Sequence, residues 1–183
     1  MRVGDEVRAA LREGRGVVAL ETTIVVHGPP APANIEVAAK CEAAVRAAGS
    51  VPATIGVLDG TVVIGLSADE LEQLAAPSRH AAKLSAWDVG LAAGLGRDGA
   101  TTVAGTIAIA QRAGIDVMAT GGLGGVHRDA PVSFDESADL TALSRTSVLV
   151  VANRTASIWR CLRAWCGARC VEGGKSSRPG QSR

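Results

Sequence analysis

Residues 101–125, TTVAGTIAIAQRAGIDVMATGGLGG, contain three kinds of local pattern in succession. The first fourteen residues predict a helix, and the short apolar run IDVMAT that follows predicts a strand. Four glycines then fall within the five positions 121–125. Such a composition is poor both as helix and as strand, because glycine loses more backbone freedom in regular structure than any other residue. A helix, a strand and a glycine loop in that order are typical of an α/β domain.

The glycine loop has two interpretations. Glycine allows the backbone to approach a ligand closely, so the loop amides could bind an anion, with His127 and Arg128 as its charge partners. The loop could equally be a tight connection from a strand to a helix. The glycines alone do not separate these interpretations.

The chain outside this stretch continues the alternation of helices and strands. We predict a helix at 5–14, a buried strand at 16–26, and a helix from Asn34 to Gly49. Residues 51–66 predict two strands joined at Asp59-Gly60, and Ser67 with Glu70 predicts a capping box for the helix at 68–75. Further on we predict a helix at 135–143 and a strand at 147–152. This order predicts an α/β fold with a largely parallel sheet plus a hairpin, and no internal repeat is present.

The composition is that of a globular protein. The chain has 183 residues, of which 47% are hydrophobic, and its formal net charge is +1. No apolar run is long enough to span a bilayer. The charged start, MRVGDEVRAALREG, is unlike a signal peptide. Four cysteines, three of them in the last quarter, do not form a disulfide framework for the whole domain. We therefore expect a cytoplasmic protein with no membrane and no nucleic-acid partner.

The distribution of charge divides the chain near residue 150. Residues 151–183 contain six arginines and one lysine against one glutamate, and they carry two of the three tryptophans. The preceding 150 residues have a net charge of −5. We therefore predict a folded α/β unit at 1–150 and a divergent basic tail at 151–183, partly disordered at its glycine- and serine-rich end.

Polar residues gather where the predicted strands end, which is where ligands bind in open α/β sheets. Glu21 and Thr22-Thr23 interrupt an apolar run, and Thr120 ends another. A buried Glu21 would have a raised pKa suited to a general acid; alternatively, it ends the strand and reaches solvent. Lys83 could bind a phosphate or act as an amine, or it could be a solvated surface residue.

Two other groups of polar residues have weaker signals. Ser137 and Asp139 could belong to a site with Asp135, or they could form the first turn of a helix, where acidic residues are common. The three histidines, at 27, 80 and 127, are not spaced as a metal-binding pair. A histidine-based zinc site therefore has little support.

Seven stretches, in this order, resemble the pseudouridine-5′-phosphate glycosidases. They are VVALETTIVVHGPPAPAN, VPATIGVLDG, GLSADELEQLA, AAKLSAWDV, GATTVAGT, ATGGLGGVHR and FDESADL, which are distributed over most of residues 1–150. The resemblance implies a three-layer α/β/α sandwich with a mixed, largely parallel sheet, incomplete in this chain. It also implies a homotrimer that cleaves the C–C glycosidic bond of pseudouridine 5′-phosphate, giving uracil and ribose 5-phosphate, with Mn²⁺.

The resemblance assigns roles position by position. Glu21 would be the proton donor, and Asp135 would bind Mn²⁺, an ion that prefers oxygen ligands. The residues that would contact the substrate are Lys83, Val103, Ser137, Ala138 and Asp139. The candidate phosphate-binding residues are Thr120, Gly121, Gly122 and His127, with Arg128 beside them.

One position departs from the family pattern. The pseudouridine-5′-phosphate glycosidases, which the chain resembles, use a lysine nucleophile in a Lys-Ser-Ile context just after the strand that matches SVLVVA. At this position the chain has Ala156, followed by Ser157-Ile158. The change coincides with the start of the basic tail, as a truncated or frame-shifted reading would produce. Two functions are therefore expected as alternatives: a glycosidase, or an inactive fragment that at most binds a phosphosugar or associates with other subunits.

Overall fold

The structure, a computed structural model, describes residues 1–126, 130–153 and 171–172. Its strands are β1 (Arg2–Val3), β2 (Val17–Leu20), β3 (Val51–Leu58), β4 (Thr61–Ile64), β5 (Ala82–Leu84), β6 (Gly99–Thr101), β7 (Val117–Thr120), β8 (Leu149–Ala152) and β9 (Val171–Glu172). Its helices are α1 (Asp5–Arg12), α2 (Thr23–Val26), α3 (Ala33–Ala47), α4 (Ala68–Ala75), α5 (Asp88–Gly94), α6 (Val103–Arg112), α7 (Ala130–Ser133) and α8 (Ala138–Arg145).

The described strands form one mixed sheet in the order β1-β4-β3-β2-β7-β8-β9, with β6 paired to β3 and β5 paired to β6. All neighbouring strands in this part of the chain run parallel, except that β3 is antiparallel to both β4 and β6. The first half of β3 pairs with β2, and its second half pairs with β4 and β6. β2 therefore lies between β3 and β7, in the interior of the sheet.

Helices cover both faces of this sheet. Val17 and Ala19 of β2 belong to the main buried cluster, which also contains Val7 of α1 and Ile107 of α6. The alternate residues of β2, Val18 and Leu20, face a groove whose opposite side is α3. This alternation is what a strand covered on both sides requires. The predicted α/β class with a mixed, largely parallel sheet is confirmed.

Several local predictions are confirmed. Asp59 and Gly60 both have positive φ, +49° and +71°, as the tight turn between β3 and β4 requires. The Ser67 side chain accepts from the Glu70 amide while the Glu70 carboxylate accepts from the Ser67 amide, so the capping box is present. Gly49 follows α3 with a φ of +81°. These features are local in sequence, which is why the sequence predicted them.

The prediction of one strand at 16–26 is wrong in its second half. β2 ends at Leu20, and Thr23–Val26 form a helical turn. The hydroxyl groups cause the break: Thr22 Oγ1 donates to the Ile55 carbonyl at 2.8 Å, and Thr23 Oγ1 donates to the Thr101 carbonyl at 2.7 Å. An uninterrupted strand could not make both contacts.

The predicted helix start at Asn34 is also incorrect. α3 begins at Ala33, and the buried Asn34 lies inside it, donating from Nδ2 to the Val25 carbonyl at 2.8 Å. The side chain therefore joins α3 to the end of α2 and leaves the helix start without a side-chain cap. The predicted helix at 135–143 likewise starts later, at Ala138, with Ser137 as its N-cap. The sequence did not predict β1, β5, β6 or α5.

The predicted division at residue 150 stays a prediction, because most of residues 151–183 lie outside the described residues. β8 continues across that position to Ala152, and the short β9 pairs with it. Cys41 is an exposed, free cysteine, and the other three cysteines fall outside the described residues. In the described part of the chain, no helix has both the length and the apolar character needed to cross a membrane.

Candidate active site

A polar cleft of about 570 Å³ opens at the carboxyl ends of β2, β5 and β7. It also meets the N-terminal ends of α6 and α8, so five elements converge on it. The residues that line this polar cleft are Glu21, Thr23, Lys83, Ser85, Asp88, Thr102, Val103, Gly122, Leu123, Gly124, Asp135, Ser137, Ala138 and Asp139. Seven of them are the residues predicted from sequence as proton donor, substrate contacts and metal ligand: Glu21, Lys83, Val103, Asp135, Ser137, Ala138 and Asp139.

The candidate phosphate-binding residues do not all lie in the polar cleft. Gly122 lines it, whereas Thr120 and Gly121 line a second cavity on the other side of Glu21. His127 and Arg128 lie outside the described residues. The phosphate assignment therefore stays a prediction.

Glu21 stands at the end of β2, half-buried, and it lines both cavities. Its carboxylate accepts a hydrogen bond from Thr120 Oγ1. Burial raises the pKa of Glu21 above its ordinary value, and the nearby charge of Asp139 also raises it. Hydrogen bonds from Thr120 and Thr23 and the ammonium of Lys83 act in the opposite direction but do not cancel the effect of burial. The carboxyl group therefore holds its proton to a higher pH than an exposed glutamate does.

A network of buried threonines fixes the backbone beside Glu21. The Thr101 amide donates to Thr22 Oγ1 at 2.9 Å, and both hydroxyl groups donate to the Ile55 carbonyl. Thr106 Oγ1 in turn donates to Thr101 Oγ1 at 2.9 Å. All three threonine side chains are fully buried. The network ties the end of β2 to β3, β6 and α6, so the position of Glu21 depends on four elements.

Asp139 is a second buried carboxylate of the polar cleft. Its Oδ1 accepts from the Ala104 amide at 2.9 Å, in the first turn of α6, and its Oδ2 accepts from the Gly124 amide at 2.8 Å. Asp139 also lies in the first turn of its own helix, α8. The two interpretations from sequence, a site residue or a helix-start residue, are therefore compatible at this position.

The glycine loop runs against Ser137 and Asp139. A Cβ atom added at Gly124 would lie 2.0 Å from Ser137 Oγ and 2.9 Å from Asp139 Oδ2, so a side chain has no room there. The amide of Gly122 donates to Thr120 Oγ1 at 3.2 Å. Two of the loop amides are therefore bound to the protein's own side chains.

Lys83 belongs to β5, where its backbone pairs with Ala100 of β6. Its exposed side chain places a positive charge in a cleft whose other charged lining residues are carboxylates. Close to it, Asp88 accepts hydrogen bonds from the amide and the hydroxyl of Ser85, at 2.9 Å and 2.6 Å. The sequence did not predict that Ser85 and Asp88 belong to this site.

Val103 is the first residue of α6, and Thr102 caps that helix by accepting from the Gly105 amide at 3.3 Å. The threonine pairs at 22–23 and 101–102 are the sequence signal for this part of the site. The first pair follows β2 and the second ends β6, and these two strand ends meet beside the middle of β3. The first pair was predicted from sequence as part of the site, and the second was not.

Comparison with known proteins places this arrangement in a family. The sequence profile of the family described as "Indigoidine synthase A like protein" matches residues 6–162, which is most of the chain. The chain belongs to the indigoidine synthase A-like family.

Two curated relatives carry a more specific name. The chain is 58% identical over 151 residues to the pseudouridine-5′-phosphate glycosidase of Chloroflexus aurantiacus, covering 82% of this chain and 50% of that protein. It is 58% identical over 158 residues to the pseudouridine-5′-phosphate glycosidase of Salinispora tropica, covering 86% of this chain and 48% of that protein. The chain thus spans about half the length of these relatives, and the resemblance stated from sequence is confirmed.

Two solved structures share the fold. The crystal structure of the prealnumycin C-glycosynthase AlnA in complex with ribulose 5-phosphate matches with a TM-score of 0.76 and 46% identity, over 85% of this chain and 50% of that one. An indigoidine synthase A-like protein from Thermotoga maritima matches with a TM-score of 0.71 and 37% identity, over 78% of this chain and 47% of that one.

The predicted metal ligand, Asp135, is an exposed residue of the polar cleft. Among the described residues of this family member, no group of three or more His, Cys, Asp or Glu side chains could hold a metal ion. A single carboxylate is nevertheless a donor of the kind that Mn²⁺ prefers, and water or substrate oxygens can complete such a shell. Asp135 is therefore compatible with Mn²⁺ as a single oxygen donor, and the metal assignment stays a prediction.

The second cavity, the apolar groove, lies between α3 and the face formed by β2, β7 and β8. Its volume is about 560 Å³. Its lining is mostly aliphatic: Val18, Leu20, Ile24, Ala38, Ala44, Val45, Ala48, Val117, Ala119 and Val151. Glu21 and Thr120 form the boundary between this groove and the polar cleft. The low polarity on this side explains why burial has so large an influence on the pKa of Glu21.

Proposed function

We propose that the polar cleft binds pseudouridine 5′-phosphate and serves cleavage of its C–C glycosidic bond to uracil and ribose 5-phosphate. The observation that carries this proposal is the pairing of a half-buried Glu21, whose pKa is raised, with the exposed ammonium of Lys83 in one cleft. The names of the two curated relatives support the substrate. The phosphosugar bound to the related C-glycosynthase supports the same class of ligand.

The chemistry requires an acid because a carbon leaving group, unlike a glycosidic oxygen, has no lone pair to protonate. When the bond between C1′ and the uracil carbon breaks, the electron pair stays on uracil and that carbon takes a proton. Protonated Glu21 supplies this proton and becomes a carboxylate, which Lys83 stabilises. The sugar carbon is left electron-poor and must be captured by a nucleophile.

The resemblance implies that this nucleophile is an amine, which forms an imine-type adduct with the opened ribose. Position 156, which matches the expected lysine, is alanine and lies outside the described residues. Without that amine, the 183-residue chain would bind the phosphosugar and would not turn over pseudouridine 5′-phosphate at a useful rate. A phosphosugar-binding protein without turnover is the second candidate function, and Ala156 is the observation that favours it.

Mn²⁺ would be held through Asp135 and would supply positive charge for oxygen atoms of the substrate. The expectation of a homotrimer rests on the resemblance, and that of a cytoplasmic location rests on the composition of the chain. Light scattering on a size-exclusion column tests the first of these expectations. Isothermal titration with Mn²⁺, comparing the chain with Asp135→Asn, tests the metal assignment without measuring activity.

The central experiment measures uracil release from pseudouridine 5′-phosphate in the presence of Mn²⁺, together with ribose 5-phosphate binding. We expect binding without turnover for the chain as it stands, and turnover for Ala156→Lys. A lysine at the neighbouring position, Thr155→Lys, is the matched control and should stay inactive. In the Ala156→Lys background, Glu21→Gln should lower the rate by at least about 10²-fold, because it removes the acid. Absence of ribose 5-phosphate binding would contradict the proposed function.

A further inference from the structure

We propose that Thr120 is a positioning residue for Glu21, holding its carboxyl group through a hydroxyl that is also bonded to the glycine loop. The proposal rests on the proposed function, in which Glu21 is the proton donor. It gives Thr120 a role different from the phosphate contact expected from sequence.

The register of the sheet brings the two side chains together. Leu20 of β2 pairs with Ala119 of β7 in a parallel arrangement, so Glu21, just past the end of β2, lies beside Thr120, the last residue of β7. Thr120 Oγ1 contacts Glu21 Oε1 across 99 positions of sequence. Backbone pairing therefore fixes this contact.

The same hydroxyl is bonded to the glycine loop. It accepts from the Gly122 amide at 3.2 Å and lies 3.0 Å from the Gly122 carbonyl oxygen. A hydroxyl has a single hydrogen, so it cannot donate to the Glu21 carboxylate and to that carbonyl together. The two possible acceptors compete for one proton.

The protonation state of Glu21 decides this competition. When Glu21 is ionised, the Thr120 hydrogen points to its carboxylate. When Glu21 is protonated, its own O–H donates to Thr120 Oγ1, and the hydroxyl hydrogen turns to the Gly122 carbonyl. Glu21 keeps its partner in both states, so it can lose and regain a proton without moving. The hydrogen bond from Thr120 to the Gly122 carbonyl therefore forms when Glu21 gains its proton and breaks when Glu21 loses it.

Thr120 is suited to this role because it approaches Glu21 from the side away from the charged groups of the polar cleft. The charged groups that act on Glu21 are Asp139 and Lys83, both on the side of the polar cleft, which Asp88 and Asp135 also line. On the side of the apolar groove the neighbours of the pair are Leu20 and Ile24. Thr120 is the hydrogen-bonding partner of Glu21 on the side of the apolar groove, and Thr23, which also hydrogen-bonds to Glu21, lies on the side of the polar cleft.

The experiment follows the carboxyl carbon of Glu21 by ¹³C NMR through a pH titration of the full chain. We expect Thr120→Val to move the midpoint upward, because it removes a hydrogen bond that favours the ionised form, and Thr120→Ser to restore it. Thr61→Val, at an exposed position in β4, is the matched control and should leave the midpoint unchanged. An unchanged midpoint in Thr120→Val would overturn the proposal.

Two further measurements complete the test. In the unmodified chain, the amide resonance of Gly122 should titrate with the same midpoint as Glu21, and a Gly122 resonance insensitive to that titration would overturn the proposal even if Thr120→Val does not fold. Ribose 5-phosphate affinity should be the same in Thr120→Val and in the unmodified chain. A loss of about tenfold, the size expected for a lost hydrogen bond to an anion, would instead assign the hydroxyl to phosphate. If the unmodified chain binds no ribose 5-phosphate, the proposed function fails while the NMR titration still decides the role of Thr120.

Discussion

The amide of Gly124 lies 2.8 Å from Oδ2 of Asp139, a buried carboxylate whose other oxygen holds the first turn of α6. This contact joins the glycine loop to two helices at once. The loop is therefore a fixed wall of the polar cleft at this point, and the glycine at position 124 is required by close packing against Ser137 and Asp139.

Gly124→Ala should destabilise the protein by about 1–3 kcal/mol, because the new Cβ atom overlaps Ser137 Oγ. The matched control is Gly94→Ala, in α5, where a Cβ atom meets nothing within 4 Å and alanine favours the helix. Urea unfolding measures both. Equal stability of Gly124→Ala and the unmodified chain would contradict the close approach described here.

Asp139→Asn should lower the free energy of unfolding by about 1–3 kcal/mol. An asparagine side chain has one oxygen and one NH₂ group, so one of the two backbone N–H groups would face NH₂ in place of its acceptor oxygen. The same change should lower the pKa of Glu21, because it removes a negative charge that raises it. Urea unfolding measures the first effect, and ¹³C NMR of the Glu21 carboxyl measures the second. A rise in the Glu21 midpoint would contradict the assigned electrostatics.

The raised pKa of Glu21 makes stability depend on pH in a defined direction. The folded chain holds the proton at pH values where the unfolded chain has released it. The contribution to the free energy of unfolding is therefore complete below the unfolded value of 4.5 and is lost as pH rises through the higher folded value. Glu21→Gln, which does not ionise, should gain stability relative to the unmodified chain between about pH 4 and about pH 8. Urea midpoints at the two pH values test this, and a difference independent of pH would contradict it.

Thr22→Val should destabilise the chain by about 1–3 kcal/mol. The substitution preserves shape but leaves the buried Thr101 amide without the acceptor that lies 2.9 Å away. Thr61→Val, at the exposed start of β4, is the control and should change the stability by less than about 0.5 kcal/mol. Thermal and urea unfolding give the comparison, and equal losses in the two variants would show that the threonine network is not the cause.

Lys83→Met should weaken ribose 5-phosphate binding by about tenfold or more, since an ammonium in reach of a phosphate makes a charge-assisted hydrogen bond. Stability should be unaffected because the side chain is exposed. Lys40→Met, on the solvent side of α3, is the control and should bind as the unmodified chain does. Calorimetric titration measures the affinities, and equal affinities for the two variants would remove Lys83 from the phosphosugar site.

Sequence reasoning succeeded where the cause of structure is local. The Asp59-Gly60 turn and the capping box of Ser67 and Glu70 depend on residues a few positions apart. The proximity of Glu21 and Thr120 was also predictable, because the carboxyl ends of parallel strands meet at one edge of a sheet. The presence of Asp135 and Asp139 in the same cleft was expected from the family resemblance.

Other features depend on distant partners and could not be predicted in the same way. Thr22 breaks the strand after Leu20 only because Ile55 and Thr101 lie within reach of its hydroxyl and backbone. β5 is three residues long and mostly exposed, so no hydrophobic pattern indicated that Lys83 lies in a strand. Asp139 lies in the first turn of α8 and also joins the glycine loop to α6, and only the first of these roles is visible in the sequence.

The position of β2 between β3 and β7 has a consequence for the order in which the molecule folds. β3 follows β2 closely in the chain, whereas the contact between Glu21 and Thr120 closes a loop of 99 positions. Closing longer loops costs more chain entropy, so we expect β2 to pair with β3 first and with β7 later. During synthesis Glu21 leaves the ribosome before Thr120, so the contact between them cannot form until β7 has emerged. Until then one side of β2 is an open apolar edge, and the growing polypeptide is most exposed to aggregation in that interval.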